Sequence, residues 1–246
     1  MFQPISTSHE YGHNVYIILI KCDKNLNLGG GKKKMLQIRW YGHACFEITN
    51  HQTIITDPHD GRSIGIPTPM IHGDIILVSH DHYDHNSFKT VEKEHSKIIT
   101  ESRKRTINDI AIKGYETFHD SHSGEKRGGN IMYKFTIDDI TLLHAGDLGH
   151  MIDDKLIESL GEIDILFIPV GGTYTLDADS ALKVIKKIKP KIAVPMHYKI
   201  EGLSLPIATV DEFLQKTTFP IIKVGNEIDI EKEEIPTNPE IWVFTL

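Results

Sequence analysis

The chain has 246 residues, of which 39% are hydrophobic and 25% charged, and a formal net charge of −7. This is enough for one large domain with a sizeable core, and the composition excludes wholesale disorder. A mildly acidic chain with no long basic run is not steered toward nucleic acid or an anionic membrane, and no apolar run reaches the roughly 18–20 residues that span a bilayer.

Two cysteines, Cys22 and Cys45, make no disulfide framework and fit a reducing cytosol. A cytoplasmic protein acting on a small molecule is the expectation. Cys45 lies in a strand-like run and reads as a small buried residue.

Residues 1–34 show little periodicity and end in Gly29-Gly30-Gly31-Lys32-Lys33-Lys34-Met35. Read back into nucleotides, this is a purine-rich tract before an ATG, as a translated ribosome-binding site would be. The reading favours Met35 as the natural start, with a genuine N-terminal extension as the alternative. Either way, one domain is expected over 35–246.

Short strands follow. Leu36–Trp40, Cys45–Thr49 and Thr53–Thr56 alternate or run apolar between turn residues. Asp74–Ser79 is compact and apolar, as in a strand buried on both faces. Further strands are expected at Lys97–Thr100, Ile112–Phe118, Ile131–Ile137, Ile140–His144, Ile163–Val170, Lys191–Pro195 and Pro220–Val224. A helix is expected over Asp153–Leu160, ended by Gly161. Another covers Ala178–Lys189, with Ala181, Leu182, Ile185 and Ile188 on one face and Pro190 as its stop. Thr209-Val210-Asp211-Glu212 has capping-box spacing and begins a third.

The chain holds 15 histidines, and their clustering decides the functional reading. In Ser79-His80-Asp81-His82-Tyr83-Asp84-His85-Asn86, alternation points His80 and His82 the same way, and a turn lets Asp84 and His85 reach back. So many imidazoles and carboxylates are costly to bury without partners, and metal ions satisfy them. Imidazole and carboxylate suit zinc, manganese or iron(II).

The H-x-H-x-D-H string after an apolar strand resembles the metal-binding signature of the metallo-β-lactamase superfamily. The other motifs of that pattern follow in order: Asp57 in Thr56-Asp57-Pro58, His119 in Thr117-Phe118-His119-Asp120, Asp147 in Ala145-Gly146-Asp147, and His197 in Pro195-Met196-His197. In detail the chain is similar to predicted zinc-dependent hydrolases of the ascorbate-6-phosphate lactonase type. That branch is suggested by Trp40-Tyr41-Gly42-His43-Ala44, by the stretch from Phe118 through Arg127-Gly128-Gly129-Asn130, and by Pro169-Val170-Gly171-Gly172-Thr173-Tyr174.

The resemblance implies an α+β fold, a four-layer αββα sandwich with the site at one edge between the sheets. It implies two divalent metal ions, zinc first and Mn2+ or Fe2+ as alternatives. His80, His82 and His119 would hold one, Asp84, His85 and His197 the other, with Asp147 bridging and Asp57 ordering the site. Two metals in such a site lower the pKa of a shared water and polarise the scissile carbonyl or phosphoryl oxygen. Asp84 is the candidate to orient the nucleophile and carry its proton. His82, where flavodiiron oxidoreductases of this fold usually carry Glu, disfavours that branch.

His119 is preferred to His122 as the third histidine, because it ends a strand. His150, Tyr174 and Tyr198 are candidate substrate contacts, and His43 lines the pocket or is structural. His144 reads equally as a partner of the ligands or a core histidine. Arg127 either binds an anionic group or simply precedes a Gly-Gly turn. His9, His13, His51, His72 and His95 read as surface residues. The expected reaction is hydrolysis of a phosphorylated sugar lactone or phosphoester. Alternatives are a nucleotide or RNA phosphodiesterase and a non-catalytic metal-binding protein. Oligomeric state leaves no trace in the sequence.

Overall fold

The computed structural model describes residues 35–246 in full and, before them, only the backbones of two short strands, β1 (Ile5–Ser6) and β2 (Val15–Ile17). The start-site reading, Cys22, His9 and His13 lie outside the described residues. From Met35 the strands are β3 (Leu36–Trp40), β4 (Phe46–Thr49), β5 (Thr53–Thr56), β6 (Gly73–Leu77), β7 (Glu92–Ile99), β8 (Arg105–Ile107), β9 (Ile110–Phe118) and β10 (Gly129–Ile137). They continue with β11 (Ile140–His144), β12 (Ile165–Pro169), β13 (Ile192–Met196), β14 (Ile221–Lys223), β15 (Glu227–Ile230) and β16 (Glu240–Val243). Three helices, α1 (Asp154–Leu160), α2 (Ala178–Ile188) and α3 (Val210–Leu214), fall between the later strands.

Alternation sets which way each strand faces. In β3, Leu36, Ile38 and Trp40 are buried while Gln37 and Arg39 are half-exposed. Two mixed sheets result, one ordered β15-β3-β4-β5-β6-β7 and the other β1-β2-β14-β16-β13-β12-β11-β10-β9-β8. Their inner faces share one core, with Ile38, Ile48, Ile54 and Ile75 from the smaller sheet and Tyr133, Phe135, Leu142 and Phe167 from the larger. The same core continues to the helices outside the larger sheet through Ala181, Ile185 and Phe213. This is the expected sandwich. On the outer face of the smaller sheet, Cys45, Ile55, Ile76 and Val78 pack under Ile71, Val91 and Phe88, so loops and a 3₁₀ turn at Phe88–Thr90 form that layer.

Helix ends follow local chemistry. Asp153 and Asp177 cap α1 and α2 by accepting from Leu156 N and Ser180 N at 2.7 and 2.8 Å. Helix α3 begins where expected, but Thr209 makes no capping hydrogen bond, so the capping box does not form. No helix among the described residues is long and apolar enough to cross a membrane.

The two ends of the sandwich differ. Asn108-Asp109 and Asp138-Asp139, all with positive φ, are two-residue turns closing the β8–β9 and β10–β11 hairpins at one end. At the other end, residues after β5, β6, β9, β11 and β13 converge.

Candidate metal centre

Each prominent polar residue sits just beyond a strand that delivers it. Asp57 follows β5, Ser79 and His80 follow β6, His119 follows β9, Asp147 follows β11 and His197 follows β13. His43, Asp57 and His197 take left-handed φ values of 54°, 37° and 52°, a conformation that costs a non-glycine residue about 1–2 kcal/mol. Glycines let the loops close up. A Cβ on Gly149 would lie 2.3 Å from the His119 carbonyl carbon, and one on Gly171 would lie 2.2 Å from the His197 carbonyl oxygen.

The side chains meet at one atom. Asp147 Oδ2 lies 3.1 Å from both His119 Nε2 and His197 Nε2, 3.3 Å from His85 Nε2 and 3.9 Å from His80 Nε2. His82 Nδ1 is 3.0 Å from His80 Nε2, and Asp84 Oδ2 is 3.6 Å from His85 Nε2. The structure thus brings together His80, His82 and His119 in one group and Asp84, His85 and His197 in another, with Asp57, His80 and His85 as a third, overlapping group. It adds His43 to the second group.

Proton bookkeeping shows that this donor set suits cations. Ser79 Oγ donates to Asp57 Oδ2 at 2.6 Å, so its contact with His80 Nδ1 at 2.8 Å is a hydrogen bond it accepts. His80 Nε2 is then a bare lone pair. His85 Nδ1 donates to Asp57 Oδ2 at 3.1 Å, which leaves His85 Nε2 bare as well when neutral. Both lone pairs lie near the Asp147 carboxylate, that of His80 also within 3.0 Å of His82 Nδ1, and a positive charge held among them satisfies the whole set. Asp147 Oδ1 is buried without a hydrogen-bond partner. Without metal, a proton does this work. Burial alone would lower the pKa of His85, but Asp147 and Asp84 outweigh burial and hold it well above its usual value. Asp147 and Asp84 lie below the usual carboxylate range, because neighbouring imidazoles overcome their desolvation.

Stability of the metal-stripped protein should therefore fall on acidification. Burial pushes His43 and His80 down to about 3, and His59 down to about 4. These groups stay neutral when folded, whereas the unfolded chain takes up protons from about pH 6.5 downward. Each contributes stability that is present above pH 6.5 and lost as pH falls, at most about 1.4 kcal/mol per group by pH 5.5. His85 works the other way: it is protonated in the folded state throughout this window, whereas the unfolded chain holds that proton only below about pH 6.5. It adds about 1.4 kcal/mol at most as pH falls from 7.5 to 5.5, and the three neutral histidines outweigh it. Melting curves at pH 7.5, 6.5 and 5.5 test this; a melting temperature that holds or rises toward pH 5.5 contradicts it.

Other residues named from the sequence are placed as follows. His119 is buried in the cluster, whereas His122 is exposed and paired with Ser121. His144 is a satisfied core histidine, donating Nε2–H to Ala44 O at 3.0 Å and accepting from Gly146 N at 3.2 Å. Tyr198 is not at the rim. It is buried against Trp40 and donates its hydroxyl to Phe244 O at 3.0 Å. His150 lies beside Phe118, accepting from Phe118 N and donating to Met151 O, so both its nitrogens are engaged. Tyr174 stacks under the Arg127 guanidinium at 4.4 Å. His51, His72 and His95 are exposed, whereas His59, which the sequence does not single out, is buried.

Two contributors carried little sequence signal. Asn130 donates to Thr117 Oγ1 and Ala145 O and accepts from Asp147 N at 2.9 Å, tying Asp147 to β9. Asp120 accepts four backbone N–H bonds from His122, Gly124, Lys126 and Arg127, shaping the loop after His119.

Residues 37–197 match the profile of the β-lactamase superfamily domain. A metal-dependent hydrolase of Thermoplasma acidophilum is 34% identical over 187 residues, 66% of this chain and 83% of that protein. One from Pyrococcus horikoshii is 28% identical over 228 residues, 80% of this chain and all of that protein (100%). Among solved structures, a metallo-β-lactamase superfamily member from Thermotoga maritima aligns with TM-score 0.70 and 35% identity, covering 85% of this chain and 98% of that one.

Proposed function

Since this chain belongs to the metallo-β-lactamase superfamily and is a metal-dependent hydrolase, we propose that it uses a binuclear His/Asp centre to hydrolyse a phosphorylated sugar lactone or a phosphoester. The observation that carries this reading is the convergence of four imidazole nitrogens on Asp147 Oδ2, which splits the donors into two sets sharing one carboxylate. His80, His82 and His119 would hold one ion and Asp84, His85 and His197 the other, with Asp147 within reach of both sets. Divalent ions there, zinc first and manganese or iron(II) next, supply the Lewis acidity that makes water acidic and polarises a carbonyl or phosphoryl oxygen.

The chain's own residues do the rest. Asp84 orients the attacking water and takes its proton. Its side chain is 11% exposed, against 1% for Asp57 and 2% for Asp147, so it is the inner carboxylate that water reaches. It is ionised at neutral pH, the state a proton acceptor needs. Asp57 is reserved for Ser79 and His85.

The preference for an anionic substrate rests on Arg127. Its guanidinium lies over the Tyr174 ring and pairs with no carboxylate among the described residues, leaving its donor fork for a phosphate or carboxylate. Arg127 belongs to the loop that starts at His119, and Tyr174 to the segment whose Gly171 abuts His197. Both therefore flank the metal ligands, with the His150 ring at the Phe118 end of the same rim. A small cytoplasmic metabolite, rather than nucleic acid, fits the net charge of −7.

Metal analysis of protein purified without chelators, followed by assays of lactones and phosphoesters, tests this reading. About two ions per chain, and hydrolysis dependent on them, are expected. Two ions with neither substrate class turned over would overturn the substrate proposal, and no metal uptake would overturn the centre itself. In Arg127→Ala, KM for a phosphorylated substrate is expected to rise about 10- to 100-fold with kcat little changed, the loss of one charge-assisted hydrogen bond. An unchanged KM would remove Arg127 from the site.

A further inference from the structure

His43 stands apart from the ligand motifs. It lies in the turn between β3 and β4, more than thirty residues before the next member of its group, yet it is fully buried at 0% exposure. Its backbone is left-handed, with φ 54°, directly after Gly42 at φ 90°. Its carbonyl accepts from Trp40 Nε1 at 3.2 Å and from His197 N at 3.1 Å, which locks the turn to the backbone of a ligand residue. The side chain points at the second metal position. Nε2 is 3.1 Å from Asp84 Oδ2 and 3.1 Å from His85 Nε2, and the ring packs on that of His197 with centroids 4.1 Å apart.

We propose that His43 is a positioning residue of the second metal position, donating Nε2–H to Asp84 and so fixing the carboxylate that faces the metal; this rests on the binuclear reading above. The tautomer follows from the neighbours. His85 Nδ1 is committed to Asp57, so His85 Nε2 presents a lone pair when a metal is bound. A second lone pair on His43 Nε2, at 3.1 Å, would repel both it and Asp84. His43 Nδ1 is buried and has no hydrogen-bond partner, so a proton there would be stranded. The proton therefore sits on Nε2, and Asp84 Oδ2 is its acceptor. A nitrogen that carries this proton does not ligate the ion.

Asp84 needs such a restraint. It is the most exposed of the three inner carboxylates, and among the described residues no backbone N–H is bonded to its side chain, unlike Asp57. Without His43 it is free to swing toward solvent, and the second position loses a donor while the first keeps its own.

The test compares two amides. Gln places its side-chain N–H close to where His Nε2–H lies, Asn falls a methylene short, and Asn is well tolerated at positive φ. Wild type, His43→Gln and His43→Asn would be loaded with cobalt(II) and challenged with graded chelator, counting retained ions and recording the visible ligand-field bands. His43→Gln is expected to hold both ions like wild type. His43→Asn is expected to hold the first but release the second at about 10- to 100-fold lower chelator concentration, the usual effect of losing a residue that orients a ligand. An Asn variant that titrates like wild type overturns the inference. So does a Gln variant as weak as Asn, which would make the imidazole itself the donor to the metal. Fewer than two ions in the wild type would overturn the binuclear reading and this inference together, whereas the two variant outcomes overturn the inference alone.

Discussion

Asp147→Ala is expected to lose both metal ions and at least about a thousandfold in turnover, some 4 kcal/mol of barrier. Four imidazole nitrogens lie within 3.1–3.9 Å of Asp147 Oδ2, drawn from both donor sets. Removing that oxygen withdraws a negative charge from both positions at once and leaves the imidazoles facing each other. Imidazole ligands carry no negative charge to replace it, so the charge balance for two dications falls to Asp84, which serves one side. His82→Ala removes one nitrogen from one set and is expected to lose one ion and keep the other. Metal analysis of the two variants beside wild type distinguishes these outcomes. An Asp147→Ala protein that retains two ions would show that Asp147 does not bridge.

Asp57→Ala is expected to cost about 3–5 kcal/mol of stability, the range for removing one partner from a buried charged network. Asp57 is 1% exposed and accepts from Ser79 N at 2.7 Å, Ser79 Oγ at 2.6 Å and His85 Nδ1 at 3.1 Å. Alanine strands all three donors in the core. For a domain of this size the melting temperature should drop by roughly 10 °C. Metal affinity should fall too, because the Ser79–His80 and His85 orientations both trace to this carboxylate. Asp57→Asn suits the positive φ but turns an amide N–H toward donors, so it should recover only part of the loss. Thermal melts of the metal-free variants measure the structural share; an Asp57→Ala melt within a degree or two of wild type would contradict it.

The residues proposed as ligands are legible in the sequence because each follows an apolar strand within a distinctive string. His80, His82, Asp84 and His85 share one loop, and Asp57, His119, Asp147 and His197 each terminate a readable strand. What stayed hidden depends on contacts between distant segments. His43 reads as a pocket-lining or a structural residue, since nothing in Gly42-His43-Ala44 shows that the turn folds onto Asp84. Tyr198 and His150 drew attention by adjacency to motifs, yet the first faces the core and the second is held by backbone groups.

Strands were legible where burial alternates. Residues 92–96 of β7 are polar and largely exposed at a sheet edge, so only its end at Lys97–Ile99 stood out. The short strands Arg105–Ile107, Glu227–Ile230 and Glu240–Val243 also went unread, because pairing and not periodicity makes them strands.

The Asp138-Asp139 turn has a practical corollary. β10 runs nine residues from Gly129, paired with Phe118, to Ile137, so the turn lies about 26 Å from the ligand end of the sheet. Its two residues already adopt the positive φ of a self-contained hairpin. Extra sequence grafted between them would extend a loop without shifting any strand end that carries a proposed metal ligand. The domain can thus accept a tag, a fused module or neutral drift at that pole while its chemistry stays as it is.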